Sequence, residues 1–225
     1  MTEAGGRTRR QISIRRGTWQ FRAAPADTNL LLEAWLDSLS ITRRSEESAI
    51  TPDTDGLLGG RYRGSLSSTG VYAADVHPFV PDEVAEMAGM ATALDDFFPQ
   101  LPPRGLRVGE VWADSSGLSI KRLPDSVSSG MALQQFDLRK REKSQTAASV
   151  RDTMELEQES TEIGQFVWHP QQGLLRRQRS IVVETTVPPG PSVRQAVRSK
   201  VEQRITLIRV ALAAGRQTLC GSPAK

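Results

Sequence analysis

Along most of this chain apolar and polar residues alternate one for one. The alternation runs through residues 11–22, 61–66, 71–77, 117–123, 131–139, 149–158, 162–169, 174–187 and 197–207. A period of two sends neighbouring side chains to opposite faces, so each stretch predicts a β-strand with one face turned to a core. Gly, Pro and polar clusters punctuate them. Arg16 and Gly17 read as the turn of a first hairpin, residues 67–70 as the turn of a second, and residues 170–173 as the turn of the longest. Residues 29–42 satisfy two templates at once: Leu31, Leu32, Trp35, Leu36 and Leu39 fit a helical stripe, whereas Leu36, Ser38, Ser40 and Thr42 alternate with Asp37, Leu39 and Ile41. Strand is the preferred reading.

One stretch departs from this rhythm. Val84, Met87, Ala91, Leu94 and Phe98 recur at three- and four-residue spacing, the period of a helix with one apolar stripe. Pro81 suits a first turn, and Asp82, Glu83 and Glu86 place negative charge at the positive end of the helix dipole. Pro99, Pro102 and Pro103 cannot continue the hydrogen-bond ladder, so a helix of about four turns is expected to end near Phe98. Leu106, Val108, Val111 and Trp112 then read as a strand entering a core, with Gly105 and Gly109 as bends. The count is about ten strands and one helix, joined by hairpins without βαβ alternation. It predicts a mainly β fold: an antiparallel, strongly curved sheet or open barrel with one amphipathic helix packed on it.

The 225 residues divide into a flexible basic arm at 1–9, a single β-rich domain at 10–212 and a tail at 213–225. Aromatics at 5% make the core a modest one. Charge adds a second layer. Residues 1–22 hold six Arg against one Glu, residues 190–225 hold seven basic residues against one acidic, and the stretch between them is net acidic. Basic ends suit an acidic partner protein or an acidic membrane surface. The scarcity of aromatics disfavours a nucleic-acid platform, although Tyr62 between Arg61 and Arg63 has the form of one. No run reaches the ~20 apolar residues of a membrane span, and Arg9 and Arg10 are not followed by an apolar leader. The expected location is therefore cytoplasmic or membrane-peripheral, with the periplasm as the alternative for a processed chain.

Chemistry-bearing patterns are absent or incomplete. Asp53, Asp55 and Gly56 open like a calcium loop, but Gly64 stands where the closing carboxylate belongs. His77 and His169 lie in different predicted strands, and Cys220 is the single cysteine. The carboxylate pairs Glu33 with Asp37 and Asp95 with Asp96 have no nucleophile beside them, and no phosphate loop or nucleophile elbow occurs. No catalytic residue, metal or cofactor is expected.

The motifs GGRYRGSL, VHPFVPDEV, DDFFPQLP and LRVGEVWADS, within residues 56–210, resemble uncharacterised bacterial β-rich proteins of the cell envelope, themselves loosely similar to periplasmic lipoprotein-carrier folds. That resemblance implies a strand-rich half barrel holding a helix, and it carries over no catalytic residue. The leading expectation is a non-catalytic structural or interaction protein, an accessory subunit docking on other protein subunits of a larger, membrane-bound assembly. Its contact residues would be Arg9, Arg10, Arg15, Arg16, Arg176, Arg177 and Arg179. The alternative is a carrier of a lipid or other apolar ligand held between sheet and helix by Val84, Met87, Met90, Leu94 and Trp112, Met being an adaptable lining.

Overall fold

The computed structural model describes residues 2–4, 7–128, 130–147, 155–189 and 195–210. The fold is mainly β, with every strand pair antiparallel and one α-helix among the described residues, as the periodicity requires. Its strands form two sheets, and no closed barrel is present among the described residues.

The smaller sheet is built on one long hairpin. Strand β3 (Ile12–Ala26) pairs with β4 (Asn29–Arg44) over its whole length, from Ile12 opposite Arg44 to Ala26 opposite Asn29. The expected turn at Arg16 and Gly17 is thus a misreading: Gly17 lies inside the strand, where a Cβ would come within 2.6 Å of the Ser38 carbonyl oxygen. That glycine marks close backbone approach, not reversal. The turn falls instead at Asp27, whose φ of 49° is the left-handed conformation that Asp tolerates. Residues 29–42 are strand, and Leu32, Ala34 and Leu36 point inward while Trp35 and Glu33 point out. Pairing with β3 on one side and with β6 (Tyr62–Leu66) on the other decides against the helical stripe. Short β5 (Ala49–Ile50) joins the far end of β4, and β7 (Tyr72–Val76) completes the second expected hairpin.

The larger sheet is a meander of long strands: β8 (Val111–Ala113), β9 (Leu118–Ser128), β10 (Met131–Ala147), β11 (Glu155–His169), β12 (Gly173–Val187) and β13 (Val197–Ile208). The strand expected at 149–158 is seen from Glu155 onward, and its first part lies outside the described residues. Two strands from the chain start extend this sheet. β1 (Thr2–Ala4) pairs antiparallel with β13, and β2 (Arg7–Arg9) pairs antiparallel with β1. Residues read as a basic arm therefore carry backbone pairing. Arg10 and Gln11 then lead straight from the edge of the large sheet into β3, the edge of the small one.

Between the sheets lies the segment with helical spacing, and it differs from expectation. The helix α1 (Asp82–Ala88) has two turns, not four. Gly89 adopts φ 40°, ψ 42°, and its N–H bonds the Ala85 carbonyl, a left-handed glycine stop. A 3-10 turn (Met90–Thr92) and successive turns to Phe97 follow. The apolar stripe survives the break: Val84, Met90 and Leu94 are all buried, packed on Leu36, Ile41 and Leu57 or on Leu32, Ala34, Tyr62 and Tyr72. Phe97 and Phe98 pack against the same small-sheet core, whereas Leu101 and Leu106 pack on the large-sheet core of Leu118, Ile120, Phe136, Leu138 and Phe166. Residues 89–106 thus form a wedge with one foot in each sheet. The wedge is also tied to the second hairpin, where Leu101 N–H donates to the Thr69 carbonyl at 2.7 Å. Gly70, with φ 80°, leaves room for the Pro99 carbonyl, which a Cβ would approach to 2.2 Å. Val108 is 58% exposed, and Trp112 sits half-buried at the rim of the large-sheet core instead of anchoring it.

Unequal stability effects follow from these placements. Leu94→Ala should cost about 2–5 kcal/mol in urea unfolding, because a buried side chain is removed from rigid surroundings. Trp112→Ala should cost less than that substitution, and an equal or larger loss would show the large-sheet core to be organised around Trp112 after all.

Candidate functional site

Strand β3 is an edge of the smaller sheet, and it faces the part of β13 beyond Ser199 that β1 leaves uncovered among the described residues. β4 flanks β3 on one side, and β12 flanks β13; among the described residues the outer edge of β13 is paired only at Arg198 and Ser199, with β1. Between Ser13–Trp19 of β3 and Glu202–Leu207 of β13 the sheets leave an open slot of about 770 Å³. Its floor is the end of α1 and the start of the wedge: Met87, Ala88, Gly89, Met90, Ala93 and Phe97. That volume lies in the roughly 300–1,000 Å³ range of ligand-binding clefts.

Alternation in the strands sets which side chains reach the slot. Arg179 lies opposite Ile205 and Arg177 opposite Leu207, so these four share the face turned to the wedge. Arg177 is buried, 5% exposed, and its Nη1 donates to the carbonyls of Asp96 at 2.6 Å and Phe97 at 2.8 Å. Its Nη2 reaches Glu162 Oε1 at 3.4 Å. Arg179 lies 3.5 Å from the same carboxylate and 3.7 Å from Asp96 Oδ2. Two guanidiniums and two carboxylates thus bind β11, β12 and the wedge into one network. Burial, with Arg179 as a like-charged neighbour, pushes Arg177 down to about 10, while Glu162 and Asp96 act the other way. It stays charged at neutral pH.

The opposite wall is tied down by the same segment. Arg15 Nη1 donates to the Ala88 carbonyl at 3.1 Å and to Met90 Sδ at 3.5 Å, and Arg43 Nη2 donates to the Glu86 carbonyl. These cations satisfy carbonyls that the short helix leaves open. Tyr62 Oη donates to the Met90 carbonyl at 3.0 Å, and burial pushes the phenol up to about 12. Trp19 stands edge-on to Tyr62 and Phe97, with centroids 5.0 and 6.2 Å away.

The slot carries excess positive charge. Arg179 is neutralised by Glu162 and Asp96, and Glu202 lies 3.6 Å from Lys200 Nζ. Among the described residues, no ion pair is made by Arg15, Arg16 or Arg204, all on the slot wall.

The sequence-derived candidates are partly brought together. Arg15, Arg16, Arg179, Met87 and Met90 meet at the slot. Val84 and Leu94 are core residues, and Trp112 belongs to the other core, so the expected set Val84, Met87, Met90, Leu94 and Trp112 does not enclose one ligand space. Arg176 is exposed on the far face, and Arg177 and Arg179 turn inward to the network instead of outward to a partner. Arg10 is exposed, and the Arg9 backbone pairs in β2. Glu202–Leu207, Trp19 and Phe97 escaped sequence reading as site residues, since nothing local announces that β13 faces β3, and Asp96, read as one of a carboxylate pair, instead meets Arg179 at the slot.

Other candidates have structural partners. His169 Nδ1 accepts the backbone N–H groups of Gln171 and Gln172 in the longest hairpin turn, and Asp53 accepts the Asp55 N–H. Glu33 lies 3.1 Å from Arg63 and 3.8 Å from Arg61. Among the described residues no three His, Cys, Asp or Glu side chains cluster as a metal site, and no helix is long and apolar enough to cross a membrane. Cys220 lies outside the described residues. No family model, curated protein or solved structure matches this chain.

Arg177→Ala should cost about 3–5 kcal/mol, because Glu162 and two wedge carbonyls lose a buried cation. Arg176→Ala, on the open face, should stay within about 0.5 kcal/mol; comparable losses for both would show that the network does not join the sheets. Tyr62 supplies a pH signature. Its folded value lies above the ordinary 10.0, so its contribution is intact below pH 10 and is lost as pH rises toward 12. Tyr62→Phe should cost about 1 kcal/mol at pH 8 for the lost hydrogen bond. Between pH 10 and 12 its stability should then fall less steeply than that of the unsubstituted chain, by up to ~1.4 kcal/mol per pH unit.

Proposed function

We propose that this protein is a non-catalytic interaction protein, an accessory subunit that receives part of another protein in the slot between β3 and β13. One observation carries the reading: the edge strand β3 faces the uncovered length of β13 across a cleft of about 770 Å³, walled by three arginines that make no ion pair among the described residues. Unpaired edges are templates for further pairing, and proteins normally cover them. Uncompensated cations favour an acidic partner and steer its approach. The reading extends to a larger assembly at a membrane surface, supported by the basic composition of residues 1–22 and 190–225.

A second reading keeps the same cleft and changes its occupant. Trp19, Leu39, Met87 and Phe97 give the slot an apolar side, which favours a carrier of an acyl chain with an anionic head near Arg15.

Doubling Arg16→Glu with Arg204→Glu should leave the chain folded, as both residues are on the slot wall, and should dissolve its complex in gently solubilised native membranes. In the unsubstituted chain, crosslinks to the complex should fall on β3 and β13. A lone monomer in both samples, together with a bound fatty acid in native mass spectrometry, would favour the carrier reading instead.

A further inference from the structure

The topology shows what shape fits the slot. β1 lies between β13 and β2, antiparallel to each: Thr2 is opposite Ser199 on one side and Arg9 on the other. β2 therefore runs parallel to β13, one strand away from it. Only Arg10 and Gln11 separate the end of β2 from the start of β3. Beyond Ser199, β13 continues along Val201–Leu207 while the other wall continues as Ser13–Trp19, and the lane that β1 occupies continues between them as the slot. Each wall presents about seven residues, or ~23 Å of strand.

We infer that this lane takes one extended, acidic peptide segment of a partner protein, added as a strand antiparallel to both β13 and β3. The inference rests on the slot being the binding site. Main-chain N–H and C=O groups on the two edges would hold the guest backbone, as in other strand-addition complexes. The walls then specify its side chains. Arg16 and Arg204 alternate with the inward residues Arg15 and Ile205, so they turn to the outer face, where acidic guest residues would lie beside them. Inward guest positions meet Met87, Phe97 and Leu207 and favour apolar side chains, with one carboxylate in reach of Arg15. An acyl chain would use the apolar floor but leave both backbone edges unpaired. The guest, once seated, makes the two sheets one continuous surface.

The test uses the full chain and an end-blocked peptide of about nine residues in which glutamate alternates with valine or threonine, long enough to span the lane. Hydrogen exchange should slow in Ser13–Trp19 and Val201–Leu207 when the peptide binds. N-methylation of alternate guest residues should weaken binding at least about tenfold, as should lysine in place of glutamate or the double change Arg16→Glu and Arg204→Glu. Equal affinity of the methylated peptide would overturn strand addition, because charge attraction alone is indifferent to N–H groups. Protection of the two strands by oleate but not by the peptide would overturn the inference while leaving the slot as a binding site. Protection by neither, nor by a native complex, would remove both readings. If the free chain is already protected there and deletion of residues 211–225 exposes it, the occupant is the chain's own tail and the inference fails.

Discussion

Arg177 holds the molecule together. A β-sheet buries one face only if something packs on it, and here a single irregular segment serves two sheets at once. Residues 89–106 have few backbone bonds of their own, so their carbonyls need donors from outside. The guanidinium of Arg177 supplies two such bonds, to Asp96 and Phe97, while Glu162 and Asp96 balance the charge it brings with Arg179. From the other sheet Arg15 and Tyr62 do the same for Ala88 and Met90. The wedge is thus positioned by side chains reaching in from both sides, and the slot is the space left where the two sets of donors do not meet.

Much of this was legible in the sequence, for a physical reason. Strand alternation is local, and the strands at 117–123, 131–139, 162–169, 174–187 and 197–207 were visible because a half-buried sheet imposes period two on each. Turns were readable where a glycine takes a positive φ between two alternating runs, as at Gly70 and Gly173, but not at Asp27, where the strand pattern runs up to the turn from both sides. Gly17 misled because a glycine that permits close approach and a glycine that permits reversal look alike in one dimension. Gly89 was hidden for a different reason: the apolar spacing ran through it unbroken, since the stripe was set by the core the segment covers and not by a continuous helix.

The slot itself could not be read in advance. Its walls come from Ser13–Trp19 and Glu202–Leu207, which adjoin only because β1 and β2 bridge the beginning of the chain to its last described strand. The arginines were singled out as a charge cluster, but which faced inward depended on register: Arg177 and Arg179 share the face of Phe166 and Glu162, and Arg176 the opposite one. A one-residue slip would exchange those roles. Candidate ligand residues were likewise divided by the wedge's two feet, with Leu94 in one core and Trp112 at the rim of the other.

The interrupted helix has a consequence for how the chain acquires its structure. Seven residues of α1 fall well short of the ~12–15 at which an isolated helix holds in water, and the turns after Gly89 are weaker still. The wedge therefore has no order to contribute early. The segment is ordered only where both sheets are present to pack on it, so its conformation depends on theirs. Docking of the wedge thus couples the two meanders into one folding unit, and wherever it is undone the faces it covers are open to other chains.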